Sequence, residues 1–324
     1  MTSIEPLANA ILAGDRAALA RGITLVESRR AADAADADAL LQRLLPRTGN
    51  ALRIGVTGAP GVGKSTLLEA LGMRRCAAGQ RVAVLAVDPS SAVTGGSILG
   101  DKTRMSELSR QPNAFIRPSP GGDTLGGVAA RTREAMLLCE AAGFDLVLVE
   151  TIGTGQSEVA VHGMVDFFLL LLSPAAGDEL QGIKRGVMEL ADGVLVHKAD
   201  GDLAAAADRA AQQCLLAMRV LHAGLATPPP VVVGSSVTGR GLDELWQAIE
   251  RTVAARRADG SFAARRAHQA DEWLDTAVRE RLLADWLADP ASAAALAAAR
   301  ARVARGELLP STAARQLVRR SAAP

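Results

Sequence analysis

Between residues 52 and 250 the chain alternates short, unbroken apolar runs with longer segments whose apolar positions recur every three or four residues. The runs at 52–56, 81–87, 114–116, 146–149, 167–172, 194–196 and 231–233 predict strands covered on both faces, because no polar alternation interrupts them. The periodic segments 64–78, 125–142, 203–223 and 241–255 predict helices between them. Strands that follow helices in this way predict an α/β fold, a mostly parallel sheet with helices on both faces. Ligands bind such sheets at the carboxyl ends of the strands, so the residues after each strand are the first candidates for chemistry.

Outside that span the pattern is helical only. Residues 1–49 predict amphipathic helices at 6–13, 16–28 and 36–45, closed by Pro46 and Gly49, with no visible chemistry. Residues 261–289 and 291–304 predict Ala-, Arg- and Leu-rich helices, with Pro290 between them and Pro310 beyond. The expected organisation is an N-terminal helical extension (1–49), a nucleotide-binding domain (50–256) and a C-terminal helical extension (257–324) suited to packing or dimerisation.

The strongest local signal follows the first strand. Gly58, Ala59, Pro60, Gly61, Val62, Gly63, Lys64, Ser65 and Thr66 fit G-x-x-x-x-G-K-[ST], with an apolar strand before and a helical pattern after. Backbone N–H groups of such a loop point at phosphate oxygens, and the helix adds the positive end of its dipole. Lys64 is placed to reach the β- and γ-phosphates and the Ser65 hydroxyl to bind Mg²⁺. This segment predicts a P-loop NTPase.

Two apolar runs end on an acid, Asp88 and Glu150, which puts carboxylates at the ligand edge to hold Mg²⁺ or its water, or to orient an attacking water. Glu150-Thr-Ile-Gly153 has the form acid-x-x-Gly, in which the Gly153 N–H can contact a γ-phosphate. A polar, Gly-rich segment then runs from Asp88 through Asp101 and Lys102, a second spans 119–127, and a third, 177–186, carries Asp178, Glu179, Lys184 and Arg185. Each is a candidate loop at the nucleotide edge. His197-Lys198-Ala199-Asp200 follows a strand and is similar to the guanine-reading element N-K-x-D. Asp200 would accept from guanine N1–H and the 2-amino group, a donor pair that adenine lacks. His197 stands where Asn usually bonds both base and P-loop backbone. Ser235, Ser236 and Val237, after the last strand, suit a backbone contact to the base carbonyl.

Composition narrows this further. Of 36 basic residues only Lys64, Lys102, Lys184 and Lys198 are lysine, as if Lys survives only where a compact ammonium is required. A net charge of +1 over 324 residues argues against a general nucleic-acid surface. Cys76, Cys139 and Cys214 form no C-x-x-C pair and the four histidines show no metal-ligand spacing, so the cysteines are expected as small buried hydrophobes in a reducing compartment. No signal peptide is visible and 167–172 is too short to span a bilayer. The expectation is a soluble, cytoplasmic protein with no membrane or nucleic-acid partner.

Residues 52–250 resemble the methylmalonyl-CoA mutase-associated GTPases of the MeaB/ArgK type, which are related to the metallochaperone GTPases. The resemblance is carried by the runs at 58–66, 87–91, 95–105, 115–120, 124–130, 149–158 and 177–184. It implies a homodimeric, slowly hydrolysing GTPase that serves an adenosylcobalamin-dependent acyl-CoA mutase, gating cofactor loading and protecting the enzyme. By the same resemblance Ser65, Asp88, Asp101 and Glu150 fall on the Mg²⁺ and γ-phosphate side, and the expected catalytic residues are Lys64, Asp88, Asp101 and Glu150. Gln156 falls in a switch, and Asp178, Glu179, Lys184 and Arg185 in another that faces the partner. Competing expectations are a P-loop kinase linked to arginine/ornithine transport and a nickel metallochaperone. The second is weakened by the absence of a His/Cys cluster.

Overall fold

The computed structural model describes residues 4–28, 30–87, 105–118, 125–151, 157–174, 185–224 and 227–321. Seven strands, β1 (Leu52–Gly58), β2 (Val82–Val87), β3 (Ala114–Arg117), β4 (Leu146–Thr151), β5 (Phe167–Leu172), β6 (Gly193–Val196) and β7 (Val231–Val233), form one sheet. Their order is β3-β2-β4-β1-β5-β6-β7. Every described pairing is parallel, so the expected "mostly parallel" sheet is wholly so among these strands.

The period of two along β4 shows both faces filled. Val147 and Val149 join a core with Phe115, Leu138 and Phe168 on one side. Leu146 and Leu148 join Ile54, Leu67, Leu71, Trp246 and Ile249 on the other. Helices Lys64–Ala77 and Leu242–Ala258 cover the second face, and Leu125–Ala141 the first. Helix Ala204–Leu221 turns Ala207, Ala211, Cys214 and Met218 onto β5 and β6, a spacing of four, three and four that keeps them on one stripe.

The N-terminal segment folds as Ile4–Leu12, Arg16–Val26 and Ala31–Leu44, close to the expected helices. Its buried Ile11, Leu19, Ile23, Leu40 and Leu44 share one core with Met136 and Leu138, so this segment completes the sheet domain rather than standing apart from it. The three cysteines are buried and free, as expected, and burial pushes the Cys214 thiol up to about 11.

The end of the sheet opposite the phosphate loop is built by a repeated device. Asp145, Asp166 and Asp192 each precede a strand. Their N–H groups donate to the carbonyls of Arg81, Arg53 and Phe168 at 2.9, 2.8 and 2.8 Å. Their carboxylates accept from the N–H of those same residues, each at 2.8 Å. Arginines near the end of the domain close over two of them. Arg266 grips Asp166 with Nε and Nη2, both at 2.7 Å, and reaches the Gly49 and Ala51 carbonyls. Arg256 and Arg265 pair with Asp192. Burial pushes the Asp192 carboxyl up, but the Arg265 and Arg256 guanidiniums outweigh it and hold it below the usual carboxylate range.

These clamps explain where the chain divides. The compact units are Met1–Arg266 and Ala267–Pro324, and the boundary between them falls within helix Ser261–Ala288. In the second unit Asp289 caps helix Pro290–Ala304 through the Ala291 and Ser292 N–H groups, with Pro290 as the first helical residue instead of a break. A further helix, Pro310–Ser321, was not anticipated. Among the described residues no helix is long and apolar enough to cross a membrane.

Candidate nucleotide site

β1 lies at the centre of the sheet and carries the loop 59–63 from its carboxyl end into helix Lys64–Ala77. The loop exposes Ala59, Pro60 and Gly61 and buries Val62. Two glycines are obligatory. A Cβ on Gly58 would lie 2.6 Å from the Leu171 carbonyl oxygen on β5. Gly63 has φ +102°, and a Cβ there would lie 2.6 Å from Cε1 of His197.

Lys64 opens the helix and is only 8% exposed. Its ammonium donates to the Gly58 and Ala59 carbonyls at 2.7 and 3.1 Å, folded back along its own loop. Burial lowers its pKa, while the Glu150 and Glu158 carboxylates act to raise it. The Ser65 hydroxyl donates to Glu150 Oε1 at 2.9 Å, and Thr66 is exposed on the next helical position. Glu150 was expected just beyond a strand; it lies within β4, in register with Val56 and Ala86. One residue on, Thr151 donates its hydroxyl to Thr57 at 2.9 Å, binding β4 to β1 beside the loop. A serine hydroxyl beside a buried carboxylate at a helix start is a pair of hard oxygen donors, which fits Mg²⁺. Among the described residues no group of three His, Cys, Asp or Glu side chains forms a cage of its own for a metal, and Mg²⁺ beside phosphates does not need one.

The 197–200 and 235–237 segments meet over the same loop. The His197 ring is buried, with Nδ1 2.8 Å from the Val62 carbonyl and Nε2 2.7 Å from Ser236 Oγ. Burial and the Lys198 charge lower its pKa, against the Val62 carbonyl and Asp200, so the imidazole is neutral. Lys198 adopts φ +58°, rare outside glycine, and from that backbone its ammonium reaches the Gly61 carbonyl at 2.7 Å. The Asp200 carboxylate accepts from Ser235 Oγ at 2.5 Å. Ser235 Oγ in turn accepts from the N–H groups of Val237 and Thr238, an arrangement that shapes the turn after β7. Val237 is 81% exposed at its tip.

The structure therefore brings together Gly58 through Thr66, Glu150, His197, Lys198, Asp200, Ser235, Ser236 and Val237 at the carboxyl edge of adjoining strands. Asp88, Asp101, Gly153, Gln156, Asp178, Glu179 and Lys184 lie outside the described residues, and of Arg185 only its backbone place at the start of helix Arg185–Leu190 is described. Glu158, buried and felt electrostatically by Lys64, is a further acid of the site that the sequence reading does not single out. Its only signal was a second acid soon after Glu150.

Comparison with known proteins agrees with this geometry. The family model described as methylmalonyl Co-A mutase-associated GTPase MeaB matches residues 19–291. GTPase ArgK of Escherichia coli is 49% identical over 83% of this chain and 82% of its own. A mouse methylmalonic aciduria type A homolog, mitochondrial, is 43% identical over 98% of this chain and 79% of its own. The crystal structure of a LAO/AO transport system kinase superposes with a TM-score of 0.78 at 38% identity, covering 99% of this chain and 98% of that one. The fold is that of a P-loop GTPase, and the chain belongs to the family of methylmalonyl Co-A mutase-associated GTPases.

Proposed function

We propose that this GTPase is a Mg²⁺-dependent chaperone of an adenosylcobalamin-dependent acyl-CoA mutase, methylmalonyl-CoA mutase or a relative. In this reading it hydrolyses GTP slowly when alone, gates cofactor loading, and protects or reactivates the mutase. The observation that carries the partner is the family match over residues 19–291; the chemistry rests on the site. Backbone N–H groups of the 59–63 loop and the start of helix Lys64–Ala77 hold the phosphates. Lys64 leaves the Gly58 and Ala59 carbonyls to neutralise charge on the β- and γ-phosphates. Ser65 and Glu150, with Asp88 and Asp101 from the sequence, would hold Mg²⁺, whose bound charge would stabilise the phosphate oxygens. Asp200, steadied by Ser235, accepts from guanine N1–H and the 2-amino group while the Lys198 stem lies along the base.

Cytoplasmic residence and a homodimer complete the reading. The dimer is supported by the exposed Leu274, Val278 and Leu282, one helical turn apart in the C-terminal unit. The test is GTP turnover measured with and without purified methylmalonyl-CoA mutase, alongside co-elution of the two proteins. Stimulated turnover and a complex are expected. Absence of both removes the proposal, and phosphate transfer to an acceptor other than water would favour a kinase instead.

A further inference from the structure

Guanine presents N7 and O6 as acceptors on one edge, and its N1–H and 2-amino donors on another. If Asp200 takes the donor edge, as proposed above, reading N7 still requires a donor aimed from elsewhere. His197 holds the position from which an asparagine amide ordinarily serves the base, and its geometry decides what it can offer.

Nδ1 lies 2.8 Å from the Val62 carbonyl oxygen, which can only accept, so Nδ1 carries the proton and donates. Nε2 is approached by two donors, the Ser236 hydroxyl at 2.7 Å and the Ser236 N–H at 3.3 Å. That makes Nε2 the unprotonated acceptor of a neutral ring. The ring lies against Gly63, with its Cε1 and Nδ1 in the space that a Cβ there would fill. An asparagine amide has two N–H protons, one for Val62 and one for the base. The imidazole has one, and it is spent.

We infer that the guanine site, as built by the described residues of this chain, leaves N7 unread. His197 is a positioning residue that ties the phosphate loop to the turn at 235–238, and base identity rests on Asp200. The site therefore accepts guanine nucleotides whose N7 has been replaced by carbon.

The inference rests on the guanine reading, and the experiment separates the two. Affinities of the full chain for GDP, 7-deaza-GDP and ADP are measured by calorimetry at pH 8, and again for His197→Asn. The natural protein should bind GDP and 7-deaza-GDP within about threefold, and both at least about a hundredfold more tightly than ADP. His197→Asn should regain a preference of about fivefold or more for GDP over 7-deaza-GDP, a change that a residue with only a packing role would not produce. A loss of about tenfold or more for 7-deaza-GDP in the natural protein overturns the inference alone, since some donor then reaches N7. So does a His197→Asn protein that binds both analogues equally. GDP binding no better than ADP overturns the guanine reading and the inference together. Should His197→Asn fail to fold, the comparison of analogues in the natural protein decides the matter.

Discussion

Glu134 makes the sheet domain's stability depend on pH in a direction opposite to most carboxylates. It lies partly buried on helix Leu125–Ala141, and burial first, then the Asp38 carboxylate on helix Ala31–Leu44, raise its pKa against the pull of Arg131. The value rises from 4.5 to about 7. The fold thus binds this proton more tightly than the open chain does. Its contribution is fully present below pH 4.5, is lost as pH climbs toward 7, and changes no further above that. At about 1.4 kcal/mol per pH unit the loss comes to about 3 kcal/mol. Glu134→Gln keeps the shape and removes the titration. Urea unfolding of parent and variant at pH 4.5 and pH 8 should show the variant gaining about 3 kcal/mol relative to the parent between the two, or about 5–10 °C in Tm. Groups that titrate alike in both proteins cancel in this difference. An identical gap at both pH values would mean that Glu134 ionises in the fold as it does in water, and the argument from its burial would be wrong.

Glu150→Gln should lower kcat for GTP hydrolysis by about tenfold or more while nucleotide affinity stays within about threefold; loss of binding without loss of turnover would make Glu150 a structural acid. Asp200→Asn should weaken GDP binding by about 2–4 kcal/mol through the lost charge-assisted pair and gain affinity for xanthosine diphosphate, measured by competition. Arg266→Met should destabilise the sheet domain by about 3 kcal/mol, because it leaves the buried Asp166 carboxylate without its guanidinium. Adding Asp166→Asn should recover part of that loss in a denaturation series, and full additivity of the two changes would argue that the pair does not interact.

Much of this fold could be read from apolar periodicity. A strand buried on both faces declares itself as an unbroken run, and 167–172 was located to the residue. The phosphate loop was equally plain, since its glycines answer to steric limits that the structure displays at Gly58 and Gly63. What periodicity cannot show is which atoms meet end-on. Nothing in the spacing of Asp145, Asp166 and Asp192 reveals a shared contact with a neighbouring strand. Composition places Arg265 and Arg266 in a C-terminal helix, where they lie, but does not reveal that their partners lie far back in the chain. His197 was recognised as a departure from Asn. Its tautomer, however, depends on the Val62 carbonyl and Ser236, residues that share no local sequence with it.

The three aspartates can also be regarded as addresses. A parallel sheet has no hairpins, so nothing local tells one strand where its neighbour should begin, and a slip of one residue would turn every side chain to the wrong face. Asp145, Asp166 and Asp192 each specify the alignment of one pair, β4 with β2, β5 with β1 and β6 with β5, because in any other register the carboxylate and the N–H it serves would both be stranded. The phosphate loop on β1 and the 197–200 segment after β6 are thus brought level with one another by Asp166 and Asp192 at the far end of the same strands. Loops at the nucleotide edge can then change in length or sequence without erasing the information that aligns them.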